Sequence, residues 1–251
     1  MLKKRIIPVL LHYNSWLVKT KKFEEKRNVG NLQQIINVYK DRKLDELVLI
    51  DLKAASERSG FNFNILDDIA HECNMPLIVG GGIKNLHDVE NAFKKGADKI
   101  IVGSAGILDH KFIEKIVKNY GGQSLVTAID VRNFNGKYSI FINNGKEKID
   151  LSLDDWVKKI QELGAGEILL TSIDKEGLMG GYDYSLLKKI EKYIRVPLIL
   201  NGGAGKLDHF SKLLVNKKIM GACASSVFHF TEITPKSIKE NAKRKKINIR
   251  I

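Results

Sequence analysis

Proline and cysteine are scarce in this chain, whose 251 residues include four prolines and two cysteines. There is also no stretch rich in serine and glycine, so the sequence shows no interdomain linker and predicts one domain over residues 1–251. Cys73 and Cys223 stand far apart without metal-ligand spacing, which argues against a disulfide framework or a cysteine metal site. They fit free thiols in a reducing cytoplasm, and no residue pattern indicates a metal or a cofactor.

Long apolar runs are missing as well. No apolar run reaches about 18 residues, the length that a membrane span needs, and no signal peptide is recognisable. We therefore expect no membrane partner.

Acidic residues are in the minority, with 29 Asp and Glu against 42 Lys and Arg, a formal net charge of +13. The lysines are spread over the predicted helices, with one further cluster at 243–246. Aromatic residues are not interleaved with a basic stripe, so a nucleic-acid partner is not expected. The excess charge indicates a solvated lysine-rich surface, or alternatively attraction of phosphorylated ligands or an acidic protein.

The sequence repeats itself at a fixed offset. Residues 46–53 resemble 167–174, and residues 76–82 resemble 197–203, both at an offset of 121 (167 − 46 and 197 − 76). Such repetition means that one supersecondary block is used twice.

Eight apolar runs alternate with eight helix-like patterns. The runs are mostly continuous, as in strands buried on both faces of a parallel sheet. The sequence therefore predicts a (β/α)₈ TIM barrel built from two half-barrels, with an open doubly wound sheet as the alternative. The predicted strands are 5–11, 46–52, 76–80, 98–103, 124–130, 166–172, 196–201 and 219–224. The predicted helices are 31–43, 62–73, 85–96, 108–120, 152–163, 183–194, 206–216 and 235–245.

Two of the loops that follow predicted strands are long. Residues 12–30, after the first strand, could form a lid over the barrel mouth. Residues 133–145, after the fifth strand, alternate around Asn135-Gly136, which predicts an inserted β-hairpin.

Glycines and hydroxyls end four of the strands at positions related by the repeat. They let the backbone approach an anion and present N–H groups to it, as at phosphate sites of barrels. The sequence thus predicts two phosphate sites on opposite sides of the mouth, for a ligand with two phosphates or a pyrophosphate. The candidate residues are Gly81, Gly82, Gly103 and Ser104 in the first half and Gly202, Gly203, Ser225 and Ser226 in the second.

Six motifs stand out along the chain, at 4–8, 79–83, 96–99, 164–174, 201–206 and 226–230. Together they resemble the cyclase subunit of imidazole glycerol phosphate synthase, the HisF family. The resemblance covers nearly the whole chain and implies a TIM barrel without cofactor. It also implies a HisH-type glutaminase partner on the N-terminal face, where Asp98 would help to dock it, and ammonia passing through the barrel. In that family the ammonia reacts with a ribulosyl aminoimidazole carboxamide nucleotide carrying two phosphates.

The family guards its barrel entrance with four charged residues, and this sequence keeps all of them: Arg5, Glu46, Lys99 and Glu167. By resemblance they form an ammonia gate. The alternative is a structural ion-pair cluster that plugs the barrel, in which two cations and two anions satisfy one another. A plug that can open is also a gate, so the two interpretations are compatible.

The catalytic pair is where the resemblance fails. The family uses two carboxylates facing each other from strands 1 and 5, and assigns catalytic roles also to Lys19 and Thr171. Asp130 supplies the second carboxylate, but Leu11 occupies the position of the first. A leucine can neither deliver nor accept a proton. His12 is adjacent, but successive strand residues point to opposite faces, which argues against its replacing the carboxylate.

Milder departures from the family are Glu176, where aspartate is usual, Asn201, where serine is common, and the segment 148–150. Three hypotheses remain. The chain is a specialised paralogue that supplies ammonia for amidation of a nucleotide sugar in surface-polysaccharide synthesis, with an N-acetyl sugar amidotransferase as a further partner. Alternatively it is an authentic histidine-pathway cyclase, or a non-catalytic activator of the glutaminase.

Overall fold

The computed structural model of the protein describes residues 3–40, 42, 44–57, 59–69 and 72–250. The strands in these residues are β1 (Arg5–Tyr13), β2 (Trp16–Lys19), β3 (Arg27–Gly30), β4 (Leu47–Asp51), β5 (Leu77–Gly80), β6 (Lys99–Val102), β7 (Leu125–Phe134), β8 (Lys137–Ile142), β9 (Glu147–Ile149), β10 (Glu167–Ser172), β11 (Leu198–Asn201) and β12 (Ile219–Ala224). The α-helices are α1 (Leu32–Lys40), α2 (Leu52–Glu57), α3 (Asn64–Ile69), α4 (Leu86–Lys94), α5 (Ser104–Leu108), α6 (His110–Tyr120), α7 (Leu153–Glu162), α8 (Tyr184–Ile190), α9 (Leu207–Leu214), α10 (Ser226–Phe230) and α11 (Pro235–Arg244).

Eight parallel strands close into a barrel in the order β1, β4, β5, β6, β7, β10, β11, β12, and β12 pairs back to β1. Helices follow the strands around the outside, as in a (β/α)₈ barrel. This confirms the predicted fold and excludes the open sheet. The first and fifth barrel strands, β1 and β7, therefore lie opposite each other.

Apolar side chains fill two layers of core. One lies inside the barrel, and the other lies between the strands and the surrounding helices. Burying each such side chain contributes about 1.5–3 kcal/mol, so these two layers supply most of the driving force for folding. The inner cluster consists of Ile7, Val9, Val48, Ile78, Ile101, Val126, Leu169, Ile199 and Cys223, with Leu11, Ile50 and Ala128 packed against it.

Helix boundaries follow local capping chemistry. In α11 the Thr234 side chain accepts a hydrogen bond from Ser237 N, the reciprocal Ser237 hydroxyl bond is present, and Pro235 opens the helix. Three predicted helices are clearly shorter than expected: α1 ends at Lys40, α3 covers only Asn64–Ile69, and α8 ends at Ile190. Residues 41, 43, 70 and 71 of those predictions lie outside the described residues. None of the described helices has the length and apolar character needed to cross a membrane.

Both long loops extend the sheet above the barrel. Asn135 and Gly136, with φ of 51° and 87°, form the tight turn between β7 and β8, which confirms the predicted hairpin. Residues 12–30, expected to be a lid, contain β2 and β3, which pair antiparallel with β1 and with each other. The first loop thus adds two strands, β2 and β3, to the end of β1. We call residues 14–30 the β2–β3 flap.

Candidate active site at the barrel mouth

The C-terminal ends of the barrel strands surround a cavity of about 370 Å³. It is lined by the two opposed positions Leu11 and Asp130, by Thr171, and by the first-half anion residues Gly81, Gly82, Gly103 and Ser104. A second cavity of about 40 Å³ is lined by the second-half residues Gly202, Gly203, Ser225 and Ser226. The two cavities share Val9, Leu11, Phe23 and Asn201. The fold therefore brings both sets of predicted anion residues to one mouth.

Leu11 and Asp130 project into this mouth from opposite strands. Leu11 packs against the inner apolar cluster, as do Ile50 and Ala128. His12 does not line either cavity; it is buried on the other face of β1, where Asp51 is a nearby charge. Burial lowers the pKa of His12, with Asp51 opposing that shift. The expectation that His12 turns away from the mouth is confirmed.

Asp130 is held in an environment that favours its protonated form. Burial raises the pKa of Asp130 to about 7, a hydrogen bond with Thr171 lowers it in part, and the charge of Glu176 raises it further. The Asn201 amide donates to Thr171 Oγ1 at 3.3 Å, which leaves the Thr171 hydroxyl proton available for Asp130. The mouth thus holds one carboxyl group that titrates near neutrality.

Lys19, the last residue of β2, lines neither cavity. It is 3% exposed, and its ammonium donates to the Ser225 hydroxyl, which in turn donates to the Val9 carbonyl. Burial lowers the pKa of Lys19 to about 7, and Glu176 opposes that shift. The Ser225 hydroxyl, which the sequence predicts to bind phosphate, therefore has the Lys19 amine as its neighbour.

Glu176 fastens the β2–β3 flap to the loop after β10. Its carboxylate accepts hydrogen bonds from Thr20 Oγ1 at 2.9 Å and Phe23 N at 3.0 Å, and its carbonyl accepts one from Lys22 N at 3.1 Å. Burial raises the pKa of Glu176, and these hydrogen bonds and Lys19 oppose that shift. The sequence did not identify this role; its only signal was a glutamate where the family has aspartate.

The strand-end glycines have a packing role that the sequence argument missed. A Cβ on Gly81 would lie 2.2 Å from the Asp51 carbonyl oxygen, and one on Gly203 would lie 2.1 Å from the Gly181 carbonyl oxygen. Both residues also have positive φ, 91° and 101°, which favours glycine. In each half-barrel, glycine is thus required because the preceding βα loop packs on it. Gly103 differs: its Cβ would make only an ordinary contact, 3.5 Å from Ala128 Cβ.

The two sets of predicted phosphate-binding residues carry hydroxyls with different surroundings. Ser104 Oγ accepts from Asn143 N at 3.1 Å, so its own proton remains available to the larger cavity. Ser226 is buried at the start of α10. No cluster of three or more metal-ligating side chains occurs within the described ranges.

At the opposite end of the barrel, the four predicted gate residues form one closed ion-pair network. Arg5 contacts Glu46 at 2.7 Å and Glu167 at 3.0 Å, and Lys99 contacts the same two carboxylates at 3.0 and 2.9 Å. Their side chains are only 7–18% exposed. Cations and anions alternate, so each charge is paired, as burial requires. The apolar inner cluster fills the barrel between this network and the mouth.

Asp98 lies at the same end as the network, next to Lys99. It is exposed, but its carboxylate also accepts from Leu77 N at 2.8 Å, which fixes the loop between β5 and β6.

Comparison with known proteins fits this architecture. A family profile described as Histidine biosynthesis protein matches residues 5–234. The imidazole glycerol phosphate synthase subunit HisF of Chlorobium phaeobacteroides is 38% identical over 251 residues, all of both chains. Its counterparts in Dictyoglomus thermophilum and Flavobacterium johnsoniae are 38% and 35% identical over 252 and 251 residues, again all of both chains. The chain belongs to the HisF family.

Within the HisF family, the resemblance predicts that this chain differs at the mouth. The resemblance assigns a carboxylate to each of strands 1 and 5, and this HisF relative has Leu11 and Asp130 there. The other features that the resemblance implies, namely the predicted phosphate-binding glycines and serines, the ion-pair network and Lys19, are present in this chain. Glu176 and Asn201, which the sequence predicted to differ from the family pattern, both make hydrogen bonds within the site.

Proposed function

We propose that the chain is the ammonia-receiving subunit of a glutamine amidotransferase. A HisH-type glutaminase docks on the N-terminal face of the barrel, beside Asp98, and releases ammonia at the network of Arg5, Glu46, Lys99 and Glu167. The network opens to admit ammonia, and the apolar interior passes the neutral molecule to the mouth. The supporting observations are a closed charge network at one end, an apolar barrel interior, and a cavity of about 370 Å³ at the other end.

The ammonia is not used for imidazole ring closure, and Leu11 is the observation that carries this part of the proposal. Each positioned acid or base in such a reaction is typically worth about 10²–10⁴ in rate. An isobutyl group packed against Ile50 and Ala128 cannot transfer a proton, and His12 faces away. We assign the ammonia instead to amidation of a nucleotide sugar for a surface polysaccharide, together with an N-acetyl sugar amidotransferase.

The decisive experiment measures cyclase turnover with saturating ammonium salt and the ribulosyl nucleotide, for the native chain, Leu11→Asp and Leu11→Asn. Ammonium bypasses the glutaminase, so the assay isolates chemistry at the mouth. We expect no turnover from the native chain or from Leu11→Asn, and measurable turnover from Leu11→Asp. Turnover of about one per second or faster by the native chain, an ordinary enzyme rate, would refute the loss of cyclase activity.

The amidation role is tested separately with the assembled proteins. Glutamine labelled with ¹⁵N in its amide is supplied to the chain, the glutaminase and the sugar amidotransferase. The label should appear in the nucleotide sugar only when this chain is present. If free ammonium salt and the sugar amidotransferase give the same labelled yield without this chain, the chain does not deliver ammonia.

A second candidate function is an authentic imidazole glycerol phosphate synthase cyclase. It is favoured by the full-length similarity to relatives named as HisF subunits and by the anion loops on both sides of the mouth. Under this alternative, Asp130 with Lys19 would suffice for ring closure. The same cyclase assay separates the two functions, because only the authentic cyclase turns over without the Leu11→Asp change.

A further inference from the structure

Exposed apolar side chains are concentrated at the mouth end of the barrel. In the part of the chain that the structure describes, seven large apolar side chains are exposed, and five of them lie on segments that follow a barrel strand at its C-terminal end. Single exposed apolar residues are ordinary on a protein surface, but their accumulation on one face is typical of a site for another protein. The five are Trp16, Leu108, Phe134, Leu178 and Phe230; the other two are Val38 in α1 and Val215 just after α9.

Four of the five lie on segments that contact one another around the mouth. We call these segments the mouth rim: residues 14–30, 132–149, 173–181 and 226–230. The hairpin contacts both the flap and the loop after β10, and the flap contacts α10, so the rim is held in place before a partner binds. Such preorganisation reduces the entropy lost on binding. The contacts are Arg132 Nη2 to the Lys22 carbonyl at 3.4 Å, Asn133 N to the Asp174 carboxylate at 2.6 Å, and Arg27 Cζ at 5.0 Å from the centre of the Phe230 ring.

The mouth rim also carries a large share of the net positive charge of the chain. Its 49 residues include ten Lys and Arg and five Asp and Glu, a net charge of +5 (10 − 5), whereas all 251 residues carry +13. Lys137 and Lys146 are among its exposed basic residues. Aromatic side chains surrounded by charged ones are the usual composition of a protein–protein interface, and the excess positive charge attracts an acidic partner.

The place of the rim at the conduit exit indicates which partner it fits. Ammonia that has passed through the barrel leaves at the mouth, and an uncovered mouth would release it into water. A protein bound to the rim covers the mouth and receives the ammonia directly. The partner is therefore a protein that uses ammonia.

We propose that the mouth rim is the docking surface for the enzyme that consumes the ammonia, and that this enzyme has an acidic surface with apolar pockets for Trp16 and Phe134. The inference rests on the function proposed above, in which the consumer is the sugar amidotransferase. The two ends of the barrel then bind two different proteins, the glutaminase at the charge network and the acceptor enzyme at the rim.

The test measures binding of the sugar amidotransferase to the complex of this chain with the glutaminase. Trp16→Ser with Phe134→Ser removes two exposed aromatic side chains of the rim, and Val38→Ser with Val215→Ser removes two exposed apolar side chains elsewhere. Aromatic residues at the centre of an interface carry much of the binding energy, so the rim variant should bind about a hundredfold or more weakly. The control should stay within about twofold, and both variants should bind the glutaminase as the native chain does, which checks that they are folded.

The charge of the rim is tested through the association rate. Lys137→Glu with Lys146→Glu should slow association with the amidotransferase by about tenfold at low salt and by less at high salt. Lys115→Glu with Lys118→Glu makes the same charge change on the exposed face of α6 and should alter the rate by less than about twofold.

The proposal is overturned if the amidotransferase does not bind the native complex at micromolar concentrations, or if the rim variant binds as tightly as its control. It is also overturned if the rim instead pairs two copies of this chain, as sedimentation of the chain alone would detect. If labelled glutamine nitrogen reaches the nucleotide sugar without binding at the rim, the proposed function stands and the docking surface is refuted. If the amidotransferase binds at the rim but no label is transferred, the docking surface stands and the proposed function is refuted.

Discussion

Glu176 accepts a hydrogen bond from the Thr20 hydroxyl at 2.9 Å across 156 positions of the chain, and so ties the β2–β3 flap to the loop after β10. The same carboxylate accepts from Phe23 N, which extends the attachment over the turn of the flap. Gly177 lets the flap approach, since a Cβ there would lie 2.1 Å from the Thr20 carbonyl oxygen. The position of the flap is thus set by contacts outside its own sequence.

Replacing Glu176 with alanine should release the flap while the barrel stays folded. Buried donors at Thr20 and Phe23 would lose their acceptor, which costs about 1–3 kcal/mol of local stability. Hydrogen exchange of the amides in residues 16–24 should quicken by about tenfold or more, while the barrel strands keep their protection. Glu25→Ala, an exposed position on the same flap, is the control. Equal protection in both variants would mean that the flap is held by other contacts.

The fluorescence of Trp16 offers a second readout of the same release. Trp16 is 50% exposed on the flap, whereas Trp156 is fully buried in α7. A change in the emission of the exposed Trp16 in the Glu176→Ala variant would therefore report release of the flap.

Asp130→Asn should stabilise the protein at pH 8 and have little effect near pH 4. The pKa of Asp130 is raised from 3.8 to about 7, so the folded state binds the proton more tightly than the unfolded state. The stability contributed by this group is fully present below pH 4 and is lost as the pH rises through about 7. The amide does not titrate, so the variant escapes this loss, which is on the order of a few kcal/mol. Urea denaturation across this pH range measures the difference; a constant difference between pH 4 and 8 would contradict the assignment.

Thr171→Val should raise the pKa of Asp130 further. The hydrogen bond from Thr171 stabilises the carboxylate form, and valine removes it without a large change in shape. The measurement is a ¹³C NMR titration of the labelled aspartate carboxyl groups, assigned by comparison with Asp130→Asn. Asn201→Ala should shift the pKa in the same direction by less, because it acts through Thr171. An unchanged or lower pKa in Thr171→Val would exclude this hydrogen bond in solution.

The charge network at the barrel base should be strongly coupled. Lys99→Met leaves Glu46 and Glu167 with one cation, and breaking a buried pair costs about 3–5 kcal/mol. Combining Lys99→Met with Glu167→Gln should cost clearly less than the sum of the two single changes, because the second removes a charge that the first left unpaired. The surface pair of Lys158 and Asp155 is the control, with a coupling of about 0–1 kcal/mol. Additive effects at Lys99 and Glu167 would show that the network is open in solution.

Gly81→Ala should destabilise the fold, whereas Gly103→Ala should not. The first change places a Cβ 2.2 Å from the Asp51 carbonyl oxygen at a φ of 91°, and overpacking of this kind costs about 1–3 kcal/mol or more. The second places a Cβ in ordinary contact with Ala128 at a φ of −114°. Thermal denaturation should show a fall in Tm of about 5 °C or more for Gly81→Ala only. Similar Tm values would refute the packing role of Gly81.

Sequence reasoning located all eight barrel strands because continuous apolar runs are a local signal. It also found the hairpin at Asn135-Gly136, where the turn residues themselves require positive φ. It missed the strands of the flap, whose attachment depends on Glu176, 156 positions from Thr20. It also gave no sign of the contact between the Ser225 hydroxyl and Lys19, 206 positions away. Local sequence patterns predict strands and turns, but contacts between loops far apart in the chain become visible only in the folded barrel.

The charge network at the barrel base only partly follows the twofold repeat of the sequence. Glu46 and Glu167 are related by the 121-residue repeat, but the position 121 residues after Lys99 (99 + 121 = 220) is Met220. The positions corresponding to Arg5, within 124–126, are likewise uncharged. The two glutamates are thus related by the pseudo-twofold axis of the duplicated barrel, whereas the two cations are not. A partner protein that recognises these charges can therefore bind in only one of the two orientations that are related by a half-turn about the barrel axis.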